Sequence, residues 1–405
     1  MEHMLTCMLP YLDKHLALGL LSFYEEKGLD VEDAKAKVLA TTALTPQYTV
    51  KPEQEERIQA TTVRAQPALD EFFEGSDNED YTYQFKLTGS EVEQLRTQGE
   101  LSYDFLRSKK GITRAVMQAV MELAFLYYDK GSYGDASELL ALCQCVSGYD
   151  LPSETILWGK LMCDTGACNW QSAIEMAAAI RKNQNSDDEE IFRQANATTI
   201  QARAWLLHWV LFPFFKGGSQ YPVQLLYYVF DHRSENIYQS VIETLCPHYL
   251  RYVCAAVLLN YTRHSNFKAA AIMTEGIYEY SDALTKLVGL IQKSDFEGAL
   301  ALLPEVETVV QEDFFLCDLE DTLMNKIKRL IFQRYMSLHM VVSIPYVADK
   351  LGMSKSDAEV WLVNLISDSK QRAKVDSVNE QLNVEPQTRA ADSLVYDKLE
   401  SVSRK

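Results

Sequence analysis

Long apolar runs are missing from this chain. The most hydrophobic stretch, "WLLHWVLFPFF" from Trp205 to Phe215, is 11 residues long and includes His208 and Pro213. A bilayer-spanning helix needs about 20 apolar residues, so this segment reads as buried core. Cysteine is not grouped for ligation: among eight cysteines none is in CxxC spacing, Cys143 and Cys145 being two apart and Cys163 and Cys168 five apart within helical patterns. The expectation is buried, reduced thiols, no structural metal and a reducing, cytoplasmic compartment. The opening "MLTCMLPYLDKHLALGLLSFY" is interrupted by Asp13, Lys14 and His15, which a secretion signal would not carry, so the Asn196 and Asn260 sequons read as chance matches. GxGxxG, GxxxxGK[ST], HExxH and HxH are all absent. No catalytic residue, cofactor or metal ligand is therefore expected. Positive charge is scarce as well: 39 Lys and Arg face 57 Asp and Glu, a net charge of -18. Phosphate backbones are held by clustered Lys and Arg, which disfavours a general nucleic-acid binder and direct DNA contact.

The chain does have enough apolar content for a large core: 47% of 405 residues, which suggests two or three structural units. Four places share one pattern, a small or polar residue followed by an aromatic, two residues and Ala. They are "GSYGDA" ending at Ala136, "CNWQSA" at Ala173, "SNFKAA" at Ala270 and "SDFEGA" at Ala299. Helical apolar periods flank each one, as with Val116, Val120, Leu123 and Tyr127 before Tyr133 and Leu139, Leu140 and Cys143 after it. The aromatic is expected to start the second helix of a hairpin, and the Ala to let the two helices approach. Such hairpins bury their apolar faces only by stacking, so the pattern predicts a mostly α protein built on a right-handed helical-hairpin α-solenoid over 111–317.

An N-terminal helical segment is expected over 1–40. Periodicity is weak over 41–110, which contains "DEFFEGSDNED" (Asp70–Asp80, six acids and no base) and reads as an acidic connecting segment. A second acidic loop, "NQNSDDEE", separates two helices near residue 187. Leu319, Leu323, Ile327, Leu330 or Ile331, Tyr335 and Leu338 mark a long helix from Asp318 to Met340, carrying Lys326, Lys328, Arg329 and Arg334. A short helix follows over Ser343–Leu351, then a turn at Gly352 and a helix from Lys355 to Ser369. Ser354 or Ser356 is placed to cap this last helix, Ser356 with Glu359 as a capping box. Two strands, "AKVDSV" and "QLNVE", complete a winged helix over 318–385. Its core is expected from Val347, Leu351, Val360, Leu362 or Val363, and Ile366. An amphipathic helix over 386–405, with Leu394, Val395, Leu399 and Val402, closes the chain and needs a partner surface.

From Ser343 to Pro386 there are five bases and seven acids, a balance of -2. A DNA-reading winged helix surrounds its second helix with bases, so this balance argues for protein contact. Candidate interface residues are Trp361, Val375, Val378, Leu382, Val384, Leu394, Val395, Leu399 and Val402. Two tempting chemical groups have plainer readings. His208 lies between Trp205 and Trp209 and reads as a core histidine. In Cys246-Pro247-His248, Pro247 suits the first turn of a helix whose Leu250, Val253 or Cys254, and Val257 point inward.

Solenoid plus acidic winged helix resembles the PCI family, shared by the proteasome lid, the COP9 signalosome and a translation initiation factor. Within it, "YLDKHLALGLLSF" (Tyr11–Phe23), "WLLHWVLFPFF", "IETLCPHYLRYVCAAVLLN" (Ile242–Asn260), "DFFLCDLED" (Asp313–Asp321) and "VADKLGMSKSDAEVWLVNLI" (Val347–Ile366) are similar to the e-type subunits of eukaryotic translation initiation factor 3. The resemblance implies a non-enzymatic scaffold in the PCI/MPN core of that factor, which binds the small ribosomal subunit. It also implies contacts with the c and l PCI subunits, with the d subunit, and with the core helical bundle through the terminal helix. A proteasome-lid or signalosome component is the neighbouring reading, and a winged-helix nucleic-acid regulator the one from another class.

Overall fold

Three of the four aromatics, Tyr133, Trp170 and Phe296, are the first residue of the second helix of a pair, while Phe267 is the fourth residue of a helix that begins at His264. The computed structural model describes residues 2–45, 49–74, 83–146, 153–184, 197–218, 220, 222–230, 237–261, 264–369, 373–376 and 379–384. Its chain forms two compact units, Met1–Tyr249 with Glu312–Asp318, and Leu250–Gln311 with Leu319–Lys405.

The first unit begins with α1 (Glu2–Met8), α2 (Lys14–Glu26), α3 (Glu32–Ala40) and α4 (Pro52–Phe72). A two-residue pairing of β1 (Phe73–Glu74) with β2 (Gln84–Phe85) precedes α5 (Gly89–Gln98) and α6 (Tyr103–Lys110). The hairpins α7 (Arg114–Lys130) with α8 (Tyr133–Val146), and α9 (Ser153–Gly166) with α10 (Trp170–Gln184), come next. Then follow α11 (Ala197–Leu211), continued by a π-turn over Phe212–Lys216, α12 (Pro222–Val229) and α13 (Ile237–Thr244). The second unit contains α14 (Leu250–Leu259), α15 (His264–Gly276), α16 (Ala283–Lys293), α17 (Phe296–Gln311) and α18 (Glu320–Leu338). It goes on through β3 (Val341–Ser343), α19 (Ile344–Leu351), α20 (Lys355–Ser369), β4 (Ala373–Asp376) and β5 (Gln381–Val384).

The physical content of the signature is a repeated cap. Gly131, Cys168 and Ser294 each stand two residues before the aromatic in the left-handed conformation. Each closes the preceding helix with the same pair of backbone bonds, as in Ser132 N–H to Tyr127 O and Gly131 N–H to Tyr128 O, both 2.9 Å. The four alanines, Ala136, Ala173, Ala270 and Ala299, are all 0% exposed. A larger side chain there would push the paired helices apart.

The 41–110 segment differs from the expected solvated connection. Helix α4 is 21 residues long and buries Thr61, Ala65, Ala68, Leu69 and Phe72; these join α7 in one core with Val120, Leu123 and Tyr127. Ala and Thr supply most of that stripe, so hydropathy hardly registers it. The start of the acidic stretch is anchored too: Phe73 is buried, and its ring lies 5.7 Å from those of Tyr83 and Phe85. Residues 75–82, like the acidic loop at 185–190, lie outside the described residues. At the N-terminus, Asp13 accepts from the Tyr128 hydroxyl at 2.5 Å and His15 bonds that of Tyr133 at 3.0 Å, which fastens α2 to α7 and α8.

Candidate functional site: a protein-docking surface

The winged-helix module is assembled on α18. Ser343 caps α19, whose Val347 is fully buried, and Gly352 ends that helix at φ +65. Ser354 caps α20: its hydroxyl oxygen accepts from Asp357 N–H at 3.2 Å, and its own O–H donates to the Asp357 carboxylate at 2.6 Å. The cap is therefore Ser354 rather than Ser356. Helix α20 buries Ala358, Leu362 and Leu365 on one face. Val360 and Val363 are 60% and 48% exposed, so Val360 leaves the expected core and Leu362 takes the place shared with Val363. The sheet has three strands in the order β3-β5-β4. Strand β3 is an addition to the expected hairpin; Leu382 lies opposite Val342 on one side and Val375 on the other.

Of the candidate interface residues, Trp361 is half-buried with its ring edge-on to Phe332 at 5.6 Å. Val375 and Val384 are half-buried on the sheet, and Leu382 is 0% exposed, so its place is the module's core. Val378, Leu394, Val395, Leu399 and Val402 lie outside the described residues, as does the expected terminal helix. The sequence reading missed Leu338, Met340 and Val341, which are 61%, 64% and 51% exposed at and just before the sheet-edge strand β3. An apolar, accessible strand edge is what folded proteins usually protect unless it pairs with something. Apolar residues running from the last residue of a long helix into the next strand were the available signal.

Five bases near this module are held within the unit. Lys355 pairs with Glu380 at 2.9 Å, and Lys350 with Glu297 at 2.9 Å. Arg329 pairs with Asp368, the Lys326 ammonium donates to Leu259 O at 2.6 Å, and the Arg334 guanidinium stands 5.3 Å from the Phe267 ring centre. Burial lowers the pKa of both Lys326 and Arg334. Outward, α20 presents two valines among polar residues, with Lys355 as its one described cation.

In the first unit the suspected chemical groups are packed. The His208 ring is 0% exposed and stacked on Tyr11 at 4.3 Å. Its Nδ1 bonds Ala204 O at 2.7 Å and its Nε2 meets His248 Nε2 at 2.8 Å. A carbonyl at Nδ1 requires the proton there, so His208 Nε2 accepts and His248 Nε2–H donates. Burial pushes the His208 pKa down to about 4. Cys246 is buried, with its thiol donating to Val241 O at 3.6 Å, and burial pushes it up to about 12, the reverse of an activated nucleophile. Pro247 begins a 3-10 turn into α14, and Leu250, Val253, Cys254 and Val257 are all buried.

The His208 environment makes stability depend on pH. Its folded pKa lies below the unfolded value of about 6.5, so the folded state favours the neutral ring. Stability from this source is complete above pH 6.5 and is lost as the pH falls toward 4. The gap corresponds to about 3 kcal/mol between those limits. Urea midpoints followed by circular dichroism between pH 7 and 4.5 should fall more for wild type than for His208→Gln; parallel curves would refute the assignment.

Known proteins share both ends of this chain. The family model described as "eIF3 subunit 6 N terminal domain" matches residues 3–127, and the "PCI domain" model matches residues 303–386, from α17 through the three-stranded sheet. The E subunit of eukaryotic translation initiation factor 3 from Anopheles gambiae is 30% identical over 406 residues, covering 97% of this chain and 90% of that protein. The proteins of the same description from Botryotinia fuckeliana and Emericella nidulans are 29% and 30% identical, each over 92% of this chain, with 84% and 85% of their own lengths covered.

Proposed function

This chain belongs to the E-subunit family of eukaryotic translation initiation factor 3, and from that premise we propose that it works as a non-enzymatic scaffold, docking neighbouring subunits through its winged-helix module. The observation that carries the reading is the outward face of α20. Val360 and Val363 stand where a nucleic-acid reader would present bases, and Lys326, Arg329, Lys350 and Lys355 nearby are engaged inside the unit. The exposed apolar edge at Met340 and Val341, together with the sheet-terminal strand β4, suits strand addition and helix packing by other PCI subunits.

The c and l PCI subunits are the partners proposed for that edge. The d subunit and the core helical bundle are proposed for other surfaces, the bundle through the terminal segment with Leu394, Val395, Leu399 and Val402. Through such contacts the chain would help assemble the PCI/MPN core that binds the small ribosomal subunit. A cytoplasmic location fits this role, and eight unpaired thiols fit a reducing compartment. No helix among the described residues is long and apolar enough to cross a membrane. Mass spectrometry of an affinity pull-down should return initiation-factor subunits and small-subunit ribosomal proteins. Proteasome-lid or signalosome components in their place would overturn the proposal.

A further inference from the structure

A second surface of the second unit lies among α15, α16 and α17. Thr274, Glu275, Ser281, Lys286, Gly289 and Lys293 line an open groove of about 350 Å³. Gly289 sits in the interior of α16, where Gly is unfavourable relative to Ala. Nothing lies within 4 Å of where its Cβ would be, and its φ is not left-handed, so neither packing within this chain nor backbone conformation calls for Gly there. Lys286 and Lys293 flank it, seven residues and thus about 10 Å apart along the helix. Lys293 pairs with Glu275 at 3.1 Å, but both side chains are more than half exposed, so a partner's carboxylate can take the ammonium over. Tyr278 is 91% exposed in the short connection between the groove residues Glu275 and Ser281. An isolated exposed aromatic beside a groove is the residue type that anchors interfaces.

Building on the scaffold reading, we infer that this groove receives an acidic amphipathic helix of a neighbouring subunit. A small residue of that helix would cross over Gly289, its carboxylates would meet Lys286 and Lys293 two turns apart, and its apolar side would cover Tyr278. The open floor fits close approach of a second backbone. The two lysines set the sign of the partner's charge in a chain whose net charge is -18.

The test uses the complex reconstituted from recombinant factor subunits, with the full-length chain carrying Lys286→p-benzoylphenylalanine. Irradiation should give a crosslink to an acidic helical segment of one neighbouring subunit. In competition with wild type for incorporation, Tyr278→Ala and Gly289→Leu should each lose about tenfold. Neither should lower the melting temperature, since Tyr278 is 91% exposed and Gly289 has open space above it. A chain that never enters the complex overturns the scaffold reading and this inference with it. A chain that enters with no crosslink from position 286, with a crosslink to ribosomal RNA, or with both variants competing as wild type overturns the inference alone.

Discussion

Asp164→Ala should lower the stability of the first unit by about 3–5 kcal/mol, the penalty for removing one partner of a buried ion pair. Asp164 is 0% exposed on α9. It accepts from the Ser137 hydroxyl of α8 at 2.5 Å and the Ser172 hydroxyl of α10 at 2.6 Å, and pairs with Lys160 at 3.3 Å. One carboxylate thereby ties three consecutive helices together. Its loss leaves Lys160, whose side chain is 13% exposed, as an uncompensated charge still bonded to the Ser137 hydroxyl oxygen at 2.9 Å, and takes the acceptor away from both hydroxyls. Removing both charges is a different experiment. Lys160→Met with Asp164→Leu should recover much of the loss, because two apolar groups of similar volume carry no desolvation penalty. Urea unfolding followed by circular dichroism checks both, and a single-variant loss under about 1 kcal/mol would contradict the three-helix tie.

Val360→Glu with Val363→Glu should reduce incorporation into the complex about 100-fold while leaving the module folded. Fully burying a valine contributes about 1.5–3 kcal/mol and roughly half of each side chain is still exposed, so docking supplies about 1.5–3 kcal/mol in all. Burying two unpartnered carboxylates brings the loss to about 3 kcal/mol or more, a factor of roughly 100. Both side chains are at least 48% exposed, and neither belongs to the face formed by Ala358, Leu362 and Leu365, so folding has little reason to suffer. The lysine versions separate the two classes of function. Val360→Lys with Val363→Lys should impair incorporation just as strongly, whereas a nucleic-acid reader would gain affinity from two added cations. Unimpaired incorporation of the glutamate pair, measured in competition with wild type, would remove α20 from the docking surface.

The stretches that carry the family resemblance turn out to be largely interior. Tyr11 stacks on His208, Phe23 meets Phe314 at 5.4 Å, and Phe212 meets Phe315 at 4.9 Å. Three of these stretches, around Tyr11–Phe23, Trp205–Phe215 and Phe314–Phe315, share a core in the first unit, whereas Val347–Ile366 lies in the second. The first three identify the family without marking a partner surface, while Val347–Ile366 also carries the exposed Val360 and Val363. The interface candidates were less legible. Val360 and Leu362 are both aliphatic and only two residues apart, and a helical period can be started from either. Which one faces inward depends on how α20 rolls against α18 and α19. Leu382 reads as a strand surface residue until β3 appears on its far side.

By itself, the amino-acid sequence determined the helical pairs, their caps, the winged-helix order of elements and the family. These follow from interactions within a few residues: left-handed caps at Gly131, Cys168 and Ser294, alanines at the helix crossings, Ser354 and Gly352 bounding α20. Tertiary structure alone decided that α4 belongs to the core, that β3 completes the sheet, and that Lys326, Arg329 and Arg334 of α18 are engaged. It also decided that Asp164 joins three helices and that Gly289 floors an open groove. Those outcomes depend on which distant segment arrives opposite a given face, and burial, charge pairing and exposure are properties of the meeting rather than of either segment.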